Sequence, residues 1–145
     1  MAVEIRKTIT VPVSVETAFA YINDYTHVPD WLFAVKKFTP TTEQTSGLGA
    51  TFDAAMSLGM TLHSTIKCID WKENALIAMD SIKGFKNTTY WNFHSDGPNE
   101  TRIEAYVTYS LPFGPAGKAM GKVIEPFIKI TIEKTTENVR KNLVG

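Results

Sequence analysis

The sequence has only one cysteine, Cys68, and three histidines, His27, His63 and His94. A single thiol cannot form an internal disulfide or a multi-cysteine zinc site, and its phase on a strand pattern predicts a small buried core residue. The histidines are not spaced as HxxxH or HExxH, so no metal site is predicted. The fold must therefore depend on a packed core, and the cysteine usage favours a reducing, cytoplasmic location.

Excess charge and long apolar runs are also absent. Fifteen basic residues balance fifteen acidic ones, which disfavours binding to DNA through phosphate contacts. No segment approaches the roughly 20 apolar residues of a transmembrane helix, and charges at the start of the chain disfavour a secretory signal. With 43% hydrophobic residues over 145 positions, we expect one soluble globular domain spanning residues 1–145.

The patterns that are present predict strands in the middle of the chain and a long helix at its end. Residues 3–11 alternate apolar and polar, and two short helices are predicted at 15–23 and 26–32, the first capped by Ser14. Six further strands are predicted at 35–42, 50–58, 61–71, 75–82, 87–95 and 100–111, and a helix at 116–143. Pro126 is expected to kink that helix or to divide it into two pieces.

Such an order leaves the last helix as the element that must cover one face of an antiparallel sheet. Long strands curl, so a straight helix laid across them leaves space unless large side chains fill it. The inward phase includes the small residues Ala54, Ser64 and Ala105. The sequence therefore predicts a pocket under the final helix.

Several segments resemble the START-like helix-grip (SRPBCC) superfamily, in its polyketide cyclase/dehydrase-like branch. They are the opening run 9–19, the Asn-Asp-Tyr at 23–25, the Pro-Asp-Trp at 29–31, the Gly-Leu-Gly turn at 47–49 and Gly59. The resemblance covers essentially the whole chain. It implies an α+β helix-grip fold of order β-α-α-β6-α, with a seven-stranded curved antiparallel sheet wrapped around a long C-terminal helix and a deep hydrophobic cavity.

The first functional hypothesis is a carrier or sensor that binds a hydrophobic, lipid-like or polycyclic aromatic small molecule in that cavity, with no cofactor. Ser64, Tyr109 and Thr89 would orient it. The ligand-binding residues predicted from phase and apolar stripe are Trp31, Phe52, Ala54, Met56, Leu62, Ser64, Ile66, Trp91, Phe93, Val107, Tyr109, Met120, Val123 and Phe127.

Two alternatives stay open from the sequence. A polyketide cyclase or dehydratase would need acid–base groups, for which the candidates are Tyr109, Tyr90, Asp53, Asp80 and Arg102. No carboxylate pair stands out among them, so no catalytic residue is assigned. The basic bias of the final helix also allows contact with a membrane surface, a quinone system or a ribosome.

Overall fold

Seven antiparallel strands form one curved sheet, and a long helix lies across it. The computed structural model describes residues 2–144. In chain order the elements are β1 (Ala2–Val11), α1 (Val15–Asn23), a 3₁₀ turn (Tyr25–His27), α2 (Val28–Trp31), β2 (Val35–Pro40), β3 (Thr51–Ser57), β4 (Thr61–Lys72), β5 (Leu76–Gly84), β6 (Asn87–Gly97), β7 (Glu100–Ser110) and α3 (Pro115–Val144). This is the predicted order, with strand ends shifted by one or two residues.

Strand order within the sheet is β1-β7-β6-β5-β4-β3-β2, so β1 and β2 are the two edges. Consecutive strands from β2 to β7 pair as hairpins, and β1 pairs with β7 in a register that sets Ile9 opposite Ile103. α1 and α2 carry the chain from one edge to the other. The predicted α+β helix-grip architecture is confirmed.

One half of the concave face is filled by α1. Ser14 caps this helix, since its Oγ accepts a hydrogen bond from the Thr17 backbone N at 3.2 Å. On the buried side of α1, Ala18 and Phe19 pack onto β1, β6 and β7, while Ile22 at the C-terminal end of the helix borders the cavity described below. Here the sheet and helix leave a solid hydrophobic core.

α3 runs without interruption from Pro115 to Val144, so Pro126 does not divide it, and the kink given as the other expectation stays a prediction. Proline removes one intrahelical hydrogen bond, which leaves the carbonyl of Lys122 without its donor. Both Pro126 and Lys122 lie on the exposed side of the helix, where water can satisfy that carbonyl. The helix therefore tolerates the proline without ending.

The sheet has two distinct ends. The α1 end carries α1, α2, the β2–β3 loop and the β4–β5 and β6–β7 turns, and it also receives the C-terminus of α3, where Asn142 Nδ2 donates to the Tyr21 hydroxyl at 2.9 Å. The far end, as we call it, comprises the β3–β4 turn, the β5–β6 turn and the β7–α3 connection, which are residues 57–63, 81–87 and 110–123. Lys86 O accepts from Ser110 N at 3.1 Å and holds two of these segments together.

Candidate functional cavity

A cavity of about 270 Å³ lies between the concave face of the sheet and α3. The strands line it with alternate residues because successive side chains of a strand point to opposite faces. β3, β4 and β7 contribute unbroken alternate runs, namely Phe52, Ala54, Met56 and Leu58, then Leu62, Ser64, Ile66 and Cys68, then Ala105, Val107 and Tyr109. The side chain of Ala54 is small, as are those of Ser64 and Ala105, so the space opposite them stays empty.

Ten of the residues predicted to bind ligand line this cavity. They are Trp31, Phe52, Ala54, Met56, Leu62, Ser64, Ile66, Trp91, Val107 and Tyr109. The structure therefore brings most of the predicted set together around one space. Their contact with a ligand stays a prediction.

The other four predicted residues lie elsewhere. Phe93 is buried, but its ring meets Phe19 of α1 edge-on at 5.2 Å, so it belongs to the solid core. Met120 packs at the far end, beside Ile124. Val123 and Phe127 are 42% and 44% exposed, and the Phe127 ring lies across Gly59, where a Cβ would come within 2.7 Å of it. None of these α3 residues lines the cavity, and the fully buried Ile124 beside them packs in a cluster with Leu58, Leu62 and Tyr109.

α3 faces the cavity with a different set of residues: Ile128, Thr131, Ile132, Thr135 and Thr136. Thr131, Thr135 and Thr136 are buried, and their spacing of four and five residues places them on one side of the helix. A search for apolar stripes misses them. The available signal is three threonines within six residues of one helix, since threonine is a β-branched residue that helices do not favour.

A small polar cluster occupies the wall near the β5–β6 turn. Ser64 Oγ donates to Phe85 O at 2.8 Å, and Asn87 Nδ2 donates to Ser64 Oγ at 3.0 Å and to Phe85 O at 2.9 Å. These bonds leave the Asn87 Oδ1 atom as an acceptor at the cavity wall. Sequence reasoning found Ser64 but not Asn87, which follows a turn and has the phase of the inward Thr89 and Trp91.

Tyr109 is the best-placed titratable side chain of the cavity. It is 6% exposed, and burial, with a smaller contribution from the charge of Glu125, raises the pKa of its hydroxyl above the ordinary value. The phenol therefore stays protonated at neutral pH and can donate a hydrogen bond. No described residue hydrogen-bonds to this hydroxyl.

The Trp31 indole lies at the cavity wall with its Nε1 donor unsatisfied. Trp31 is 5% exposed, and Nε1 has no hydrogen-bond partner among the described residues. Its ring meets Trp91 edge-on, with centroids 5.3 Å apart and planes at 75°. Leaving a buried donor unpaired costs about 1–3 kcal/mol, and Nε1 itself is covered by protein atoms, so the indole lines the cavity with its carbon atoms.

Lys7 extends the lining to the edge of the sheet. It shares the inward phase of Ile5 and Ile9, although its side chain is exposed. A second groove between β1 and α3 borders the same residues, Ile5, Lys7, Tyr109, Ile128 and Ile132. The cavity and this groove therefore adjoin along the β1 edge.

Comparison with known proteins assigns the family. The model of the family described as polyketide cyclase / dehydrase and lipid transport matches residues 2–144. The chain belongs to this family. No curated protein matches it significantly.

Solved structures agree on the fold. An aromatase/cyclase from Streptomyces sp. R1128 superposes with a TM-score of 0.84 at 10% identity, covering 99% of this chain and 94% of its own. A protein of Thermus thermophilus gives 0.80 at 16% identity, covering 97% of each chain. A START superfamily protein of Mycobacterium smegmatis gives 0.77 at 16% identity, covering 97% of this chain and 96% of its own. At such identities the likeness shows the helix-grip fold alone.

The acid–base candidates other than Tyr109 lie on the convex face of the sheet in this protein. Asp53 accepts from Thr65 Oγ1 at 2.9 Å, and Asp80 accepts from Thr88 Oγ1 at 2.7 Å. Arg102 Nε lies 3.6 Å from Glu104. Tyr90 pairs with Tyr106 on that same face, with ring centroids 6.2 Å apart. These residues do not reach the cavity. Among the described lining residues there is no aspartate, glutamate, histidine or arginine.

Residues 2–144 contain no candidate metal site and no candidate membrane-spanning helix. No three histidine, cysteine, aspartate or glutamate side chains there could hold a metal ion together. Cys68 is 3% exposed, and burial raises the pKa of its thiol, which keeps it protonated. None of the described helices is long and apolar enough to cross a bilayer.

Proposed function

We propose that this protein is a carrier or sensor that encloses a hydrophobic, ring-containing small molecule beneath α3. One observation carries the proposal: the cavity of about 270 Å³ has apolar walls and lacks charged acid–base groups apart from Lys7 at its edge. Burial of a ligand's apolar surface contributes about 25 cal/mol per Å² before ordering costs, so such a space binds by exclusion of water.

The walls favour flat ligands of modest size. Aromatic rings approach from several elements, including Trp31, Phe52 and Trp91, and they offer faces and edges against which another ring packs. An apolar cavity of about 150 Å³ holds one benzene molecule, so the volume here matches roughly two to three fused rings.

The polar atoms of the cavity favour a ligand that carries oxygen. The Tyr109 phenol can donate, and Asn87 offers an acceptor. A carbonyl oxygen near Tyr109 would accept a hydrogen bond from the protonated phenol. A phenolic or hydroxyl group would find its acceptor at Asn87. We therefore expect an oxygenated aromatic or polycyclic compound to bind more tightly than a plain hydrocarbon.

The cyclase or dehydratase alternative rests on the family and on Tyr109. A protonated phenol facing the cavity can act as a general acid. However, a base near neutral pH is also needed, and the described walls hold no carboxylate or imidazole. This absence favours the carrier over the enzyme. The ribosome- or quinone-associated alternative and the cytoplasmic location stay predictions.

The first experiment is native mass spectrometry of the protein purified from its own host. We expect a co-purifying hydrophobic compound that leaves on unfolding. In parallel, a fluorescent apolar dye such as anilinonaphthalene sulfonate should bind the emptied protein. Ala54→Leu should weaken dye binding because its three extra carbons occupy part of the cavity, whereas Ala20→Leu, on the exposed side of α1, should not.

Equal dye binding by wild type and Ala54→Leu would contradict the carrier proposal. The enzyme alternative is separated by Tyr109→Phe. In a carrier this change alters ligand affinity by less than about tenfold, in line with the modest net value of one hydrogen bond, and no bound compound is converted. Turnover of an added polyketide that disappears in Tyr109→Phe would support the cyclase instead.

A further inference from the structure

Exposed apolar side chains gather at the far end of the sheet. Phe113, in the β7–α3 connection, is 93% exposed, Ile82 next to the β5–β6 turn is 59% exposed, and Met60 in the β3–β4 turn is 40% exposed. Each belongs to a different segment of the same end. The three segments are neighbours, since Ser110 N donates to Lys86 O and Phe85 N donates to His63 O. Exposed apolar side chains on adjoining segments mark a surface that meets another apolar phase.

The Phe113 side chain is held in this position by its loop. Pro112 and Pro115 restrict the backbone on both sides, and the Pro112 carbonyl packs so closely on Gly117 that any Cβ there would strike it. Leu111 packs close to Gly121. The loop is thus anchored to the first turns of α3, and it presents the phenyl ring outward instead of folding it onto the protein.

The three segments of the far end are basic, and the adjoining start of β1 adds one acidic residue, Glu4, which pairs with Thr108. Residues 57–63, 81–87 and 110–123 contain Lys83, Lys86, Lys118 and Lys122 and no aspartate or glutamate, in a chain whose total charge is zero. All four lysines are exposed, and none forms an ion pair with a described residue. Exposed apolar side chains and lysines on the same segments match the surface of a bilayer that contains anionic lipid.

We propose that the far end docks onto an anionic lipid membrane, with Phe113, Ile82 and Met60 entering the headgroup region and the lysines meeting lipid phosphates and carboxylates. Aliphatic side chains gain nothing from a nucleic-acid backbone, so a membrane explains both halves of the surface. Docking would place the bilayer over Phe85 and Leu58, which line that end of the cavity. The proposal needs no ligand and stands apart from the carrier function.

The test is co-sedimentation of the full chain with vesicles. We expect binding to vesicles of phosphatidylcholine and phosphatidylserine in equal parts, much weaker binding to phosphatidylcholine alone, and loss of the difference at high salt. The double variant Phe113→Ser with Ile82→Ser should lower the affinity for mixed vesicles about tenfold or more, since it removes the inserted apolar surface.

Matched controls come from the opposite end. Leu48 in the β2–β3 loop has the same 59% exposure as Ile82, and Leu48→Ser should leave vesicle binding unchanged. Lys83→Gln with Lys86→Gln should weaken binding at least about fivefold, whereas Lys72→Gln with Lys141→Gln, both exposed at the α1 end, should not.

Three outcomes would overturn the proposal. One is wild-type protein that stays in the supernatant with mixed vesicles. Another is equal sedimentation of the wild type and the Phe113/Ile82 variant when both show the same thermal unfolding. The third is a dimer in sedimentation velocity that the same variant abolishes, which would assign the surface to a second copy of this chain. A ligand-free protein serves for every arm, so failure here leaves the cavity proposal untouched.

Discussion

The two halves of the concave face are built from the same strands and yet differ in packing. Toward the α1 end, the side chains of Ile9 and Ile103 meet Phe19 and leave no space. Four residues along the same faces, Ile5 and Val107 border a cavity. The sheet is continuous through both halves, so the difference comes from the covering helix. α1 brings a phenyl ring down to the sheet, whereas α3 brings threonines.

This comparison shows how a small domain keeps an empty interior at little risk to its stability. One half supplies the solid core on which folding depends, and the other is freed from close packing. The residues that enclose the cavity and the residues that form the packed core therefore lie in different halves of one sheet. Pairs of matched substitutions, one in each half, measure how complete that separation is.

The largest expected effect comes from truncating isoleucine on β1. Ile9→Ala should lower the free energy of unfolding by about 3–4 kcal/mol, because it opens a void in tight packing. Ile5→Ala, on the same strand and face, should cost only about 1 kcal/mol, since its side chain already borders empty space. Urea unfolding followed by circular dichroism measures both values. Equal costs would show that the two halves are packed alike.

The face of the sheet on which each strand residue lies could be predicted from the sequence, because successive side chains of a strand alternate between only two faces. Every inward residue expected on β3, β4 and β7, from Phe52 to Tyr109, does line the cavity. Which element covers a strand is a different matter. Phe93 has the predicted inward phase, but α1 fills the space above it, and no local pattern of β6 reveals that.

The orientation of α3 could not be predicted for a related reason. An apolar stripe predicts the buried side of a helix only when that side packs against something. Here the cavity takes the place of the partner, so buried threonines such as Thr131 face inward while Phe127 crosses the edge at Gly59. Lys7 was not predicted to line the cavity, because a charged residue between the inward Ile5 and Ile9 breaks the alternation of apolar and polar residues on β1.

Larger side chains test the same two halves of the concave face in the opposite way, because they add volume instead of removing it. Ala18→Leu on α1, at a fully buried position, should destabilise the protein by about 2–3 kcal/mol because the core has no room for the added carbons. Ala54→Leu should change the free energy of unfolding by less than about 1 kcal/mol, because the cavity accepts the side chain. Urea denaturation again decides, and a cost for Ala54→Leu equal to that for Ala18→Leu would mean that the cavity closes in solution.

Two buried threonine hydroxyls, one in each half, give a comparison with a smaller expected effect. Thr101, fully buried on β7, donates its Oγ1 proton to Val13 O at 2.8 Å and ties the strand to the β1–α1 connection. Thr101→Val should cost about 1 kcal/mol or slightly more, because Val13 loses its donor. The Thr131 hydroxyl has no hydrogen bond to a described residue, so Thr131→Val should be neutral. Thermal unfolding of the two variants distinguishes these cases, and equal losses would assign Thr131 a structural bond.

The smallest effect concerns the ionisation of Tyr109 in the hollow half. Burial raises the pKa of its hydroxyl, so the protonated phenol is favoured in the folded state. The resulting stabilisation is fully present below the unfolded pKa of about 10 and is lost as the pH rises through the higher folded value. Wild type should therefore lose stability faster than Tyr109→Phe above a pH of about 10, whereas the difference between them should stay constant at lower pH. Difference titration of phenolate absorbance between the two proteins measures that pKa directly, with the other tyrosines cancelling. A value at or below the ordinary one would show that water already fills the space around Tyr109, which would remove the reason to call this half of the interior apolar.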